Sequence, residues 1–177
     1  MAVRVQPRRR ELPPSGRHYV ARVIERTVHD DVTAYRLSWW RSRLIGYAVH
    51  VYVVRGTMVD SGYPAAQRHI AQIVRDESVR GVYVTHQHED HAGNVPWLAQ
   101  CGVPLAMDAR TEQALRQCGR IGLYRHVTWT AMPAFTQPYQ PYTADGLQLR
   151  FVTNQPRQSR SVWDAQTGTV LVRDLFL

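Results

Sequence analysis

Apolar positions alternate with polar ones, or crowd into short β-branched runs, along most of the chain. Residues 18–26 and 32–40 read as two strands joined by the turn-forming pair Asp30-Asp31. Residues 47–54, YAVHVYVV, form a denser strand. Arg55-Gly56 then turns it into residues 57–60, TMVD, as a hairpin. Ser61-Gly62-Tyr63-Pro64 interrupts the pattern, and the period changes. Ala66, His69, Ile70, Ile73 and Val74 recur at helical spacing behind Pro64, a residue suited to a first helical turn. Residues 80–85 are an almost unbroken apolar run, the mark of a strand covered on both faces. A helix over 95–100, a strand over 103–107 and a helix over 109–118 follow. Residues 119–146, with Pro133, Pro138 and Pro141 among aromatics, read as a loop holding one short helix. Strands return at 147–153 and 161–163, and Asp164-Ala165-Gln166-Thr167-Gly168 turns the chain into a strand over 169–173. Strands alternating with helices imply an α/β fold. The Pro- and Arg-rich residues 1–17 are expected to be a flexible arm, leaving 18–177 as one domain.

Composition narrows the function classes. With 177 residues, 44% hydrophobic and 20% charged, the chain has enough apolar material for a real core. No stretch approaches the roughly eighteen apolar residues of a membrane span, and the first thirty residues lack a signal-like apolar run. The expectation is a cytoplasmic protein with no membrane partner. Cys101 and Cys118 alone cannot form a disulfide framework. All 22 basic residues are arginine, which excludes chemistry that needs a lysine amine. The net charge of +8 is concentrated near the N-terminus, where residues 1–43 hold ten arginines against four acids. Arg8-Arg9-Arg10, and the interleaved Trp39, Trp40, Arg41 and Arg43, are where nucleic acid would bind. A solvated arm and ordinary packing account for the same residues.

The chemistry concentrates in VYVTHQHEDHAGN, residues 82–94. If the strand ends near Thr85, His86 and His88 lie two apart and can point the same way. Asp90 and His91 are adjacent and must diverge. Two neighbouring binding points follow, one for His86 and His88, the other for Asp90 and His91. Imidazole and carboxylate donors suit Zn²⁺, with Fe or Mn as alternatives. Two such ions about 3.5–4 Å apart can share a hydroxide and polarise the bond being cut. His18, His29, His50, His69 and His126 stand alone and read as ordinary surface or core histidines.

This motif resembles the signature of the metallo-β-lactamase superfamily. GTMVDSGYP, 56–64, resembles that family's strand ending in an aspartate turn, and WDAQTGTVLVRDLF, 163–176, its late metal-bearing hairpin. The resemblance implies an αβ/βα sandwich. It also implies a hydrolase whose metal-activated hydroxide attacks an ester, thioester, lactone, amide or phosphodiester bond of a small-molecule substrate. His86 and His88 would hold the first metal, Asp90 and His91 the second, and Asp174 would bridge them. Asp90 would also relay the proton, and Asp60 would orient a ligand histidine.

Two departures qualify this. Pro156 stands in Thr153-Asn154-Gln155-Pro156-Arg157, where the family pattern has another histidine, and Leu177 follows Asp174 by only three residues. The sequence therefore implies an incomplete C-terminal half, an open strand edge that favours homo-oligomers, and weakened metal binding. The alternative to a hydrolase is an inactive scaffold keeping at most one metal. A nuclease or nucleic-acid binder ranks third.

Overall fold

A computed structural model describes residues 24–44, 46–117, 128–129, 132–144, 146–151 and 160–171. The arm, His126, Pro156 and Asp174 lie outside the described residues.

A six-stranded sheet runs in the order β1 (Ile24–His29), β2 (Val32–Leu37), β3 (Val49–Val54), β4 (Thr57–Val59), β5 (Gly81–Tyr83), β6 (Leu105–Ala106). The first three pairings are antiparallel and the last two parallel. The change of direction follows from the connections. Two-residue turns join β1 to β2 and β3 to β4, whereas β4 reaches β5 through a 3₁₀ turn (Pro64–Ala66) and helix α2 (Gln67–Asp76). Arg55 and Gly56 both adopt positive φ, 46° and 74°, the conformation whose twist suits a tight hairpin. Between β5 and β6 lie α3 (Glu89–Ala92) and α4 (Val95–Gln100), and α5 (Ala109–Gln117) follows β6. Asp108 starts α5 by accepting from the backbone amides of Arg110 and Thr111 at 2.9 and 3.1 Å. A second, antiparallel sheet consists of β7 (Leu147–Phe151), β8 (Arg160–Asp164) and β9 (Val170–Leu171).

The period-two alternation of the strands sorts their side chains between two cores. Val49, Val51, Val53, Met58, Val82 and Val84 face Ile70 and Ile73 of α2, Leu98 of α4 and Leu115 of α5. Val54, Val59 and Tyr83 face the other way, against Leu147, Val162 and Leu171 of the second sheet. Helices thus cover one face of the large sheet and the small sheet covers the other. The segment before β7 packs closely on the same face: a Cβ on Gly81 would run into the ring of Tyr142.

Two local readings shift. The strand expected over 32–40 ends at Leu37, because Ser42 exchanges hydrogen bonds with the backbone of Trp39 at 3.1 Å and winds residues 40–44 into α1 (Trp40–Leu44). The histidine motif itself carries an unforeseen helical turn, α3. Among the described residues no helix is long and apolar enough to cross a membrane.

Candidate metal centre

Strands β4 and β5 are parallel neighbours with Val59 opposite Tyr83, so the residues that follow them emerge side by side. Asp60 comes after β4; Thr85 and His86 come after β5. Crevices beyond the carboxyl ends of parallel strands are where open α/β sheets place ligands.

Asp60 adopts φ 63°, unusual for a residue with a Cβ, and its amide donates to the Tyr83 carbonyl at 2.8 Å. The turn behind it is stitched to α3 and its flank. The Ser61 amide donates to the His91 carbonyl at 2.6 Å, and the Gly93 amide to the Gly62 carbonyl at 2.9 Å. The Asn94 side-chain amide donates to the carbonyls of Ser61 and Tyr63 at 2.7 and 2.9 Å. Gly93 has no room for a Cβ, which would lie 2.5 Å from Pro64 Cδ and against the Glu89 carbonyl. The two segments that carry the motif are therefore locked to each other.

The Asp60 carboxylate is buried and fully engaged. Oδ1 accepts from the Thr85 amide at 2.8 Å, and the Thr85 hydroxyl lies 2.8 Å from both oxygens. Oδ2 lies 2.9 Å from His91 Nδ1. An ionised carboxylate only accepts, so His91 Nδ1 carries the hydrogen and Nε2 presents its lone pair. The single Thr85 hydroxyl hydrogen points at Asp60. The 3.3 Å contact between Thr85 Oγ1 and His86 Nδ1 therefore has the ring donating, which leaves the lone pair of His86 on Nε2 as well. One carboxylate sets both tautomers.

The rings converge. His86 lies 4.5 Å from His88 and 4.4 Å from His91 between centroids, and His91 Nε2 is 3.6 Å from Asp90 Oδ2. Two sets of donor atoms, Asp60 with His86 and His91, and His86 with His88 and Asp90, each lie within 4.8 Å of one another. His86 belongs to both. This differs from the pairwise division that backbone spacing alone suggests, because the α3 turn carries His91 back beneath His86 toward β4. Such imidazole and carboxylate donors fit a borderline divalent ion. His86 and His91 are buried, while His88 and Asp90 are half-buried, so the cluster is closed within and open outward.

Tyr63, three residues after Asp60, is buried with its ring 5.3 Å from Trp129 and 6.2 Å from Trp39. Burial pushes its phenol up to about 12, so it stays neutral at ordinary pH. Trp39 is anchored by its indole N–H to the Thr128 carbonyl at 2.6 Å, whereas Trp40 is 58% exposed. Arg41 stacks over both indoles at 5.2 and 5.0 Å.

The sequence pattern draws attention to His86, His88, Asp90, His91 and Asp60, and the fold brings all five together. Thr85, Ser61 and Asn94 escape that pattern. The signal for them was polarity out of place, since each is a small polar side chain buried at the end of an apolar strand or the start of a helix.

Residues 44–155 match the model of the metallo-beta-lactamase superfamily. Similar solved structures include TMB-1, at TM-score 0.57 and 17% identity, covering 87% of this chain and 73% of that one. The metallo-beta-lactamase FIM-1 from Pseudomonas aeruginosa in its mono-zinc form matches at TM-score 0.55 and 16% identity, over 83% and 67%. VMB-1 matches at TM-score 0.58 and 12% identity, over 87% and 73%. No curated protein matches the sequence.

Proposed function

The chain belongs to the metallo-beta-lactamase superfamily, and from that premise we propose that it is a zinc-dependent hydrolase of a small-molecule ester, thioester, lactone, amide or phosphodiester. The observation that carries this reading is the convergence of His86, His88, Asp90 and His91 around shared space, with Asp60 holding His91 by a 2.9 Å hydrogen bond. His86, His88, Asp90 and His91 would hold the metal, with Asp174 as a further ligand by family resemblance. A divalent ion bound there supplies Lewis acidity and makes water a nucleophile near neutral pH. The protein does the rest. Asp60 and Thr85 keep His91 and His86 in the tautomers that present Nε2. Asp90, at the open side of the cluster, takes the proton released as water attacks and passes it to the leaving group. Exposed Trp40, next to Trp39, whose ring lies 6.2 Å from that of Tyr63, offers an apolar contact for substrate.

A second reading, a scaffold that holds one metal without turnover, draws support from Pro156 in Thr153-Asn154-Gln155-Pro156-Arg157, a segment without a histidine. Proline offers no side-chain ligand atom, and catalytic zinc sites usually keep three protein ligands. Metal content per purified chain, followed by hydrolysis of a thioester, lactone, phosphodiester and β-lactam panel, separates the readings. The hydrolase reading expects one or two zinc ions per chain and turnover that a chelator abolishes and zinc restores. One metal with no turnover selects the second reading. Failure to take up zinc, manganese or iron in excess sinks both.

A further inference from the structure

The hairpin turn at the other end of β4 holds a second buried carboxylate. Asp164, at the end of β8, is 1% exposed. Arg55 Nη1 and Nη2 donate to its two oxygens at 2.7 and 2.8 Å in a forked pair, and Nη1 also reaches Asp31 of the β1–β2 turn at 2.9 Å. The same carboxylate accepts from the Gln166 amide at 3.0 Å and the Thr167 hydroxyl at 2.8 Å, which shapes the turn into β9. One guanidinium thus joins two turns of the large sheet to the β8–β9 hairpin of the small one.

That small sheet backs the strands that carry the metal centre. Its Leu147, Val162 and Leu171 pack against Val59 and Tyr83, the residues directly before Asp60 and two before Thr85. The Tyr83 hydroxyl donates to the Leu147 carbonyl at 3.2 Å, and the Tyr83 carbonyl accepts from the Asp60 amide at 2.8 Å. Tyr83 is therefore gripped by the small sheet through its side chain and grips Asp60 through its backbone. In sequence, Asp174 follows β9 by three residues.

We propose that Arg55 is a positioning residue for the metal centre: its forked grip on Asp164 seats the small sheet against Val59 and Tyr83 and so sets how tightly the histidine cluster binds zinc. This rests on the hydrolase reading above. The physical reason is the cost of leaving the buried Asp164 carboxylate without its guanidinium, which is relieved if the small sheet shifts to let water reach it. That shift withdraws the backing from the ends of β4 and β5. The distance involved is modest, since five residues of extended chain, from 55 to 60, span roughly 16 Å. The lowered pKa of Asp164, caused first by the Arg55 hydrogen bonds, agrees with a tight pair.

Arg55→Gln tests this in the full chain, read by amide hydrogen exchange and by zinc affinity in competition with a chromophoric chelator. The expected result is lost protection in β7, β8 and β9 with β3 and β5 still protected, and a zinc Kd raised about tenfold, the scale seen when outer partners of metal ligands are removed. A merely structural pair would lower thermal stability and leave the zinc Kd of the folded chain unchanged. Unchanged zinc affinity, or unchanged exchange in the small sheet, overturns the proposal. If the variant fails to fold, Arg55→Lys decides: it keeps the charge and loses the fork, so an intermediate Kd supports the proposal and a wild-type Kd overturns it. A wild-type chain that binds no zinc defeats the hydrolase reading and this one with it, whereas equal binding by wild type and variant defeats only the role of Arg55.

Discussion

Two aspartates buried at opposite ends of β4 meet the same problem in different ways. Asp164 answers its charge with another fixed charge: Arg55 takes both oxygens, and hydrogen bonds from Gln166 and Thr167 complete the shell. Asp60 uses an amide, a hydroxyl and the Nδ1 hydrogen of a histidine. The first arrangement is closed, and its carboxylate is held well below the usual carboxylate range by the guanidinium. The second passes its polarisation through an imidazole to Nε2, which faces other donor atoms. A carboxylate paired with arginine tethers two sheets; a carboxylate paired with histidine readies a ligand. Burial is common to both acids; what differs is the partner, a guanidinium for Asp164 and an imidazole for Asp60.

The sharpest way to test that contrast is to remove the imidazoles. His86→Ala takes away the one residue shared by both donor sets, and the expected outcome is loss of all metal uptake with the fold retained. Metal analysis and circular dichroism on the same sample check it. Retained zinc would mean that the cluster is not the metal centre. Asp164→Asn should act first on stability, with a smaller loss of zinc affinity that follows from loosening the small sheet. Losing the charged hydrogen bonds of this part-buried pair costs about 1.5–3 kcal/mol, read as a lower denaturation midpoint in urea at unchanged slope.

Asp60→Asn should do the reverse, lowering metal affinity about 10- to 100-fold, or roughly 1.4–2.7 kcal/mol, with less effect on the unfolding midpoint. An asparagine amide can turn its N–H₂ toward His91 and force the wrong tautomer. Should Asp60→Asn and Asp164→Asn have indistinguishable effects on both measurements, the distinction drawn between the two ends of β4 is wrong.

Acid offers the mildest test. Because the folded-state pKa of Asp164 is depressed, its contribution to stability is fully present above the ordinary carboxylate value of about 3.9 and declines as pH falls below it. The wild type should therefore lose more stability than Asp164→Asn on moving from pH 5 toward pH 2, as followed by urea midpoints. Parallel curves would remove the ion pair as the cause.

Much of this was legible along the chain. The Arg55-Gly56 turn, the helix behind Pro64 and, among the described residues, a strand within each expected strand region rest on local periodicity and turn chemistry and are present. The two-sided burial of residues 81–85 was readable because only a covered strand can afford so few polar positions. Two features were not readable. The end of β2 depends on a single serine bonding back to Trp39, a local competitor to the ladder that periodicity does not register. Asp164 looked like a plain turn residue because its partner lies 109 positions away.

The order of residues by itself determined which side chains could ligate a metal, that they follow a buried strand, and that the strands alternate between two cores. Each depends on near neighbours, whose geometry the backbone repeat dictates. Which donors share a site was decided only in three dimensions. His91 joins Asp60 and His86, and not Asp90 alone, because α3 turns back while parallel pairing sets β4 beside β5. Arg55 meets Asp164 because two sheets pack face to face. Contacts between distant segments depend on how layers stack, and no local pattern carries that information.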